Sequence, residues 1–450
     1  MREKMPFALY ELLSRLHRAG FEAYPVGGCV RDLLRGITPH DWDVTTSALP
    51  QQVKALFTDC RVVETGIAHG TVTVITEGIP VEITTFRGEG AYSDSRHPDT
   101  VCFGVTLAED LSRRDFTIGA MAWDTADDRL IDPYGGREDL ANGILRAVGE
   151  PERRFEEDAL RILRGLRFAA TLELTIEPET AAAMRNSARR LEVISPERIR
   201  SELEKLLCGV NAAAVLREYI DMIGVVLPEL LPMVGFLQHN SHHDRDVWEH
   251  TLAVLSAVPP EPVLRWAALL HDAAKPGCFT MDEQGVGHFR GHPAKSAAMA
   301  EKLLRRLRCE NRFISDVAEL VRIHDERLPA EKRMAVRWAG RWGEERFRQF
   351  LELRRADTLG KANAAVAGAD DYRARMLRFL EETKAEGACF TLKELAVHGD
   401  DLLGLGIRGA AVGQALNTLL EQVQEGLLPN DRETLLQAEI LQAYTGIISE

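Results

Sequence analysis

The chain reads as an α+β protein, a small mixed head followed by a long, mostly helical remainder. Two patterns carry that reading. Up to about residue 145, β-rich runs such as Thr71 to Ile75 and Val81 to Phe86 alternate with helical segments. From Arg146 onward the strand signal fades and the chain becomes helical. A third observation locates the centre of the head: Gly27-Gly28-Cys29-Val30-Arg31-Asp32, followed by Asp41-Trp42-Asp43.

Taken in order, an amphipathic opening helix ends at Gly20, and Phe21 to Val26 forms a short apolar strand. Gly27-Gly28 turns the backbone into a helix beginning near Cys29. The turn is expected to leave amide groups bare at a helix start, where they attract a phosphate. Arg31, one turn on, can reach the same anion. Asp41 and Asp43 stand at i and i+2 on the next strand, so both carboxylates leave one face while Trp42 and Val44 enter a core. Two carboxylates beside a phosphate cradle suit a Mg²⁺ pair in in-line phosphoryl or nucleotidyl transfer. Pro50 starts a helix through Phe57. In Val81-Glu82-Ile83-Thr84, Glu82 is either a third carboxylate or a solvated strand residue.

With 450 residues, the chain has room for several domains. A formal charge of −14 argues against a uniformly basic nucleic-acid coat and leaves room for a local basic track. The seven cysteines are scattered, which suits a reducing compartment with neither disulfide framework nor zinc site. Met1 to Leu16 carries charges within its apolar pattern, unlike a signal peptide, and no run approaches membrane-spanning length. A cytoplasmic protein is expected.

The double motif Gly-Gly-x-x-Arg-Asp and Asp-x-Asp resembles the head of the class II tRNA nucleotidyltransferases, the CCA-adding enzymes and their bacterial poly(A) polymerase relatives. The resemblance implies a polymerase-beta-like head that transfers nucleotides from CTP and ATP to tRNA. It casts Arg87 to Val101 as the flexible loop used in switching from C to A addition. In Ser112-Arg113-Arg114-Asp115 it implies Arg114 on the triphosphate and Asp115 near the ribose. Ile131 to Leu140 matches the family's next turn, a structural one.

Glu157-Asp158-Ala159-Leu160-Arg161 follows, then Arg164 and Arg167. Helical spacing makes Asp158 and Arg161 neighbours on one face, as an ion pair or as a base reader. Cytosine and adenine each present an amino donor beside a ring-nitrogen acceptor, which a carboxylate next to a guanidinium complements. Uracil and guanine present a carbonyl beside an N–H and are rejected. The resemblance implies that role for the pair, with Arg164 and Arg167 continuing toward nucleotide or primer. Ser195-Pro196 looks like a helix start with Ser as cap, and Arg185 to Lys205 is either a solvated face or a phosphate contact.

A second constellation begins near His239. His250 lies in Val247-Trp248-Glu249-His250, followed by His271-Asp272 and, much later, Asp357; His292 and His324 are further candidates. This arrangement resembles the HD-domain metal-dependent phosphohydrolases. Its imidazole and carboxylate donors suit Mn²⁺, Ni²⁺, Fe or Mg²⁺. His239, His242 and His243 are either supports for that site or a solvated loop.

The expected domains are a head over 1–145, a helical nucleotide-base and tRNA-binding neck over 146–225, an HD-type metal domain over 226–360 and a tRNA-binding helical tail over 361–450. The expected activity is template-independent addition of C, C and A to the 3′ end of tRNA. Alternatives are A-only or CC-only addition, poly(A) synthesis, or an HD-type phosphohydrolase acting on RNA ends or nucleotides.

Overall fold

A computed structural model describes residues 4–89, 101–239, 245–361, 368–386 and 389–444. Most of the expected loop, with Gly90, Tyr92, Arg96, His97 and Pro98, lies outside these residues, as do His242, His243 and the alanine-rich run 362–367. The chain forms two compact units, Met1–Pro228 and Glu229–Glu450.

The first unit opens on α1 (Phe7–Arg18), β1 (Ala23–Pro25), α2 (Gly28–Leu34), β2 (Trp42–Thr46) and α3 (Pro50–Leu56). Then come β3 (Arg61–Val63), β4 (Thr71–Thr76) and β5 (Ile79–Thr85), closing a five-stranded sheet of order β1-β2-β5-β4-β3. Only β2 and β5 run parallel; the other neighbours are antiparallel, so the sheet is mixed. β3 was not legible as a strand, being only three residues, one exposed and two half-buried.

The alternation within each strand does the sorting. Trp42, Val44, Val81 and Ile83 pack with Leu9, Leu12, Leu13 and Leu16 of α1 in one core, each contributing roughly 1.5–3 kcal/mol of apolar burial. The opposite face carries Asp43, paired in register with Glu82.

Two small hairpins follow, β6 (Arg87–Glu89) with β7 (Val101–Phe103), and β8 (Ala122–Asp124) with β9 (Arg129–Ile131). Between them α4 (Leu107–Ser112) starts on a Thr106/Glu109 capping box. Helix α5 (Gly136–Ala141) leads to β10 (Ile144–Leu145), which pairs in parallel with β11 (Thr175–Ile176). The helical part of this unit comprises α6 (Pro151–Glu157), α7 (Leu160–Leu172), α8 (Pro178–Ser187), α9 (Pro196–Leu207), α10 (Ala212–Glu218) and α11 (Ile220–Val226). Pro196 opens α9 as expected, but Ser195 makes no side-chain capping bond.

The second unit is a helical bundle of α12 (Val247–Ala257), α13 (Pro262–Leu270), α14 (His292–Arg306), α15 (Asn311–Ile323), α16 (Lys332–Trp342), α17 (Glu344–Leu359) and α18 (Ala369–Ala385). Its last helices, α19 (Gly399–Gly404), α20 (Ala410–Gln424) and α21 (Arg432–Leu436), enclose a core of their own around Val397, Leu402, Ile407 and Leu419. No helix among the described residues is long and apolar enough to cross a membrane.

Candidate functional site

In the head, Gly27 adopts φ +73°, a conformation that L side chains rarely take. A Cβ there would lie 3.0 Å from Arg114 Nη1, so the glycine also leaves room for that guanidinium. The expectation of two bare amides needs correction, because the Gly27 N–H donates to the Met121 carbonyl at 3.0 Å. Helix α2 has no side-chain cap, and Arg31 rests against its neighbour Asp32 at 2.9 Å.

Asp41 lies on the bend just before β2, one residue short of the strand expected to carry it, and is exposed while Asp43 is half-buried. The Asp43 carboxyl is pushed up to about 6 by burial, then by Glu82 and Asp41; Arg114 and Arg31 oppose that rise. Glu82 and Asp41 act electrostatically on Asp43 here, with two arginines also in range. An all-oxygen donor set that repels itself suits a hard divalent cation. Asp110 is one of the acids that flank the arginine pair in the sequence and can orient it. Fully buried on α4, it accepts from Arg113 at 2.7 Å, Arg114 at 3.3 Å and Thr45 at 3.1 Å, which aims the Arg-Arg pair. Burial alone would raise its pKa, but the two arginines hold it below the usual carboxylate range.

Asp158 and Arg161 do not share a helical face. Helix α6 ends at Glu157, Asp158 takes φ −143° and ψ 105°, and α7 begins at Leu160. Asp158 is therefore a corner. Its Oδ1 accepts the Leu160 N–H at 3.0 Å and its Oδ2 accepts from Arg198 at 2.8 Å. Arg161 turns instead to Glu157, at 2.8 Å. The helical spacing failed because a carboxylate that binds the amide two residues on favours a helix start over a helix interior.

Arg164 pairs with Asp115 at 2.7 Å, and Arg167 with Glu202 at 2.6 Å. Burial would raise the Asp115 pKa, but Arg164 and Arg161 hold it below its usual range. Arg31, Arg164 and Arg167 also surround the Phe168 ring at 5.6, 5.6 and 3.9 Å, so the head motif and α7 meet at one aromatic.

The helical unit brings together all six of its expected ligands. His250 Nε2 lies 3.0 Å from Asp357 and 3.3 Å from His271 Nε2; His271 Nε2 is 3.2 Å from Asp272. On the other side of Asp272, His292 Nε2 stands 3.2 Å from its Oδ1 and 3.3 Å from His324 Nε2. Two metal-sized groups result, His250/His271/Asp272 and Asp272/His292/His324, sharing one carboxylate.

The chemistry of these contacts calls for cations. Each ring's Nδ1 faces a backbone carbonyl: Gly360 for His250, Ala268 for His271, Phe289 for His292 and Val321 for His324. A carbonyl only accepts, so each Nδ1 carries the proton, and a neutral ring then presents its Nε2 lone pair to the centre. Burial would lower the pKa of His271, but Asp272 raises it, and Lys275 and Lys361 reach the two carboxylates; a divalent cation among the Nε2 atoms would supply positive charge in the same place. Both Asp272 oxygens are buried without a well-directed hydrogen bond.

Burial would raise Asp272, but His271 and Lys275 hold it well below its usual value. Asp357 is likewise held low against its burial, by His250 and Lys361. Burial and His271 push His324 down to about 4, keeping it neutral.

Lys275 and Lys361 were not foreseen. They lie 2.7 Å from Asp272 and 2.5 Å from Asp357. Lys275 follows Asp272 by three residues, a spacing that could have revealed it. Gln238, not His239, supports the site, accepting from Lys275 at 2.9 Å; His239 is exposed and its ring leans on Phe279. A cavity of ≈ 570 Å³ opens onto the centre, with Lys275, Arg290, Arg327 and Lys361 in its wall.

Residues 23–146 match the family model described as the poly A polymerase head domain, and residues 173–232 the one described as the "probable RNA and SrmB-binding site of polymerase A". Residues 294–438 match the model for tRNA nucleotidyltransferase domain 2. The acid cluster, the arginine-lined turn and these matches define a nucleotidyltransferase with a poly(A) polymerase type of head.

The chain belongs to the CCA-adding enzyme family. It is 36% identical over 96% of its length to the CCA-adding enzyme of Limosilactobacillus fermentum, covering 96% of that protein. With that of Lacticaseibacillus paracasei the identity is 34%, over 95% of this chain and 94% of the relative. A crystal structure of the Bacillus stearothermophilus CCA-adding enzyme in complex with CTP is similar at TM-score 0.71 and 30% identity, each chain covered to 95%. The Thermotoga maritima CCA-adding enzyme complexed with tRNA shares the fold at TM-score 0.59 and 20% identity, over 98% of this chain and 97% of that one.

Proposed function

We propose that this protein adds C, C and A to the 3′ end of tRNA from CTP and ATP. In each round the tRNA 3′-oxygen attacks the α-phosphorus, one P–O bond forms, one breaks, and pyrophosphate leaves. The supporting observation is the acid cluster of Asp41, Asp43 and Glu82 beside Gly27 and Arg114.

Asp41 and Asp43 are the catalytic carboxylates and would hold Mg²⁺, with Glu82 as a third. That cation would lower the pKa of the attacking hydroxyl and offset phosphate charge. Gly27, Gly28 and Arg31 seat the triphosphate, Arg114 is aimed at it by Asp110, and Asp115 orients Arg164 near the ribose. Asp158 and Arg161 choose the base from the α6–α7 corner, with Arg164 and Arg167 continuing toward the primer. This places base selection in the helical neck and tRNA contacts in the neck and the C-terminal helices.

Supplying CTP or ATP singly to tRNA truncated before CCA tests the reading. Full CCA addition requires CMP incorporation from CTP and AMP incorporation only after two C additions. CMP without AMP would point to a CC-adding enzyme, and AMP alone to an A-adding enzyme or a poly(A) polymerase.

A second reading concerns the helical unit. We infer that His250, His271, Asp272 and Asp357 hold one divalent cation, and that Asp272, His292 and His324 hold another. The facing Nε2 lone pairs and the undirected Asp272 oxygens favour it. When bound, such ions activate water toward phosphate esters, and the lysines and arginines of the cavity suit an anionic substrate. As the chain's sole chemistry this reading is not favoured, given the family to which the chain belongs.

A further inference from the structure

We propose that Phe168, on α7, is a positioning residue of the transfer reaction. Its ring gathers Arg31, Arg164 and Arg167 into one guanidinium cluster that binds phosphate oxygens of the nucleotide or of the tRNA end. The proposal rests on the reading of these arginines as the groups that seat the triphosphate and continue toward the primer.

Three like charges brought together repel one another, and each long side chain gives up rotamer freedom. The negative face of an aromatic ring offsets both costs for a cation within about 6 Å of its centroid. Arg167 stands 3.9 Å from the Phe168 centroid, and Arg31 and Arg164 each stand 5.6 Å away. Arg164 precedes Phe168 by four residues on α7, so helical spacing delivers it to the ring. Arg31 arrives from α2, on the other side of the head. The ring itself is fixed. Fully buried Phe116 meets it edge-on, with centroids 5.9 Å apart and planes at 80°. Gly165 leaves room for that contact, since a Cβ there would lie 2.9 Å from Phe116 Cζ.

Each guanidinium spends one edge on a carboxylate and keeps donors to spare. Arg31 bonds Asp32 through Nε and Nη2, Arg164 meets Asp115 through the same two atoms, and Arg167 bonds Glu202 through Nε. Among the described residues, Nη1 of Arg31, Nη1 of Arg164 and both terminal nitrogens of Arg167 have no partner, and none of these atoms is buried. The carboxylates anchor one edge of each fork, and the shared ring brings the forks together. Charge-assisted bonds from such forks to phosphate are the strong kind. Phe168 need touch no substrate to act.

The test measures kcat and KM for CTP, ATP and truncated tRNA with the wild type, Phe168→Leu, Phe168→Tyr, Arg31→Met and the Arg31→Met/Phe168→Leu double variant. Phe168→Leu keeps apolar bulk but loses the ring face, and should raise KM about tenfold with kcat within about threefold. A rise shared by CTP and ATP marks the triphosphate as the bound group, and a rise for tRNA marks the primer phosphates. Phe168→Tyr keeps the face and should stay within about twofold of wild type. The double variant should lose less than the product of the two single losses, because the residues act on one cluster. A purely packing role would lower thermal stability and leave KM alone. Unchanged KM in folded Phe168→Leu, a Phe168→Tyr loss as large, or single losses that multiply would each overturn the proposal. If Arg31→Met raises KM and Phe168→Leu does not, the reading of Arg31 stands and the proposal falls; if neither raises it, both fall.

Discussion

The acid cluster of the head and the imidazole cluster of the helical unit both invite divalent metal, yet they are built on opposite plans. In the head, Asp43 and Glu82 stand on the inner strands β2 and β5 and Asp41 just before β2, where it is exposed. Burial first, then Glu82 and Asp41, raise the pKa of Asp43. In the helical unit, four neutral-capable imidazoles and two carboxylates are buried, and a backbone carbonyl fixes every ring. The first plan suits an ion that arrives with a triphosphate and leaves with pyrophosphate. The second suits a resident ion, because the protein has already oriented each donor before the metal binds.

The largest effect that separates the two is loss of resident metal. His271→Gln or Asp272→Asn should empty the helical-unit centre, as read by elemental analysis of purified protein, while CMP incorporation stays within about twofold of wild type. Parallel loss of incorporation would break the comparison.

Next in size is Gly27→Ala. A Cβ 3.0 Å from Arg114 Nη1 at φ +73° should displace that guanidinium and lower kcat/KM for CTP by about 10²-fold, with metal content unchanged. A smaller loss, about tenfold in metal affinity, is expected for Gly360→Ala, whose Cβ would lie 2.9 Å from His250 Nδ1; competition with a chelator reads it.

The smallest effect concerns Asp43 itself. Its folded pKa of about 6 exceeds the unfolded value, so the folded state keeps a proton that the unfolded chain releases, and stability falls as pH rises toward 6. Asp43→Asn should therefore stabilise the chelator-treated protein at pH 7.5, on the order of 2 kcal/mol, and by less at pH 5. Denaturant melts at the two pH values check the sign.

Much of the head could be read directly because strand alternation and glycine turns are local. Trp42 and Val44 must point away from Asp43, and a Gly-Gly turn before a helix leaves few alternatives. The six imidazole and carboxylate groups that the helical unit brings together were named through their resemblance to the HD-domain arrangement, not through local spacing. The clearest failure is a long-range one. Nothing in the order of Glu157, Asp158 and Arg161 discloses that Asp158 breaks the helix, or that its partner is Arg198, 40 residues away. Asp110 was legible as an acid able to orient Arg113 and Arg114, but not as a fully buried one. Lys361, just past the end of α17, follows Asp357 by four residues, a spacing that could have revealed it. Local periodicity identifies faces, whereas long-range ion pairs decide which charged residue on a face is the working one.

Single-turnover CMP incorporation into truncated tRNA by Asp43→Ala tests the central claim most directly. The account predicts a loss of at least about 10³-fold against wild type, with the metal content of the helical unit intact. Incorporation at the wild-type rate would contradict it.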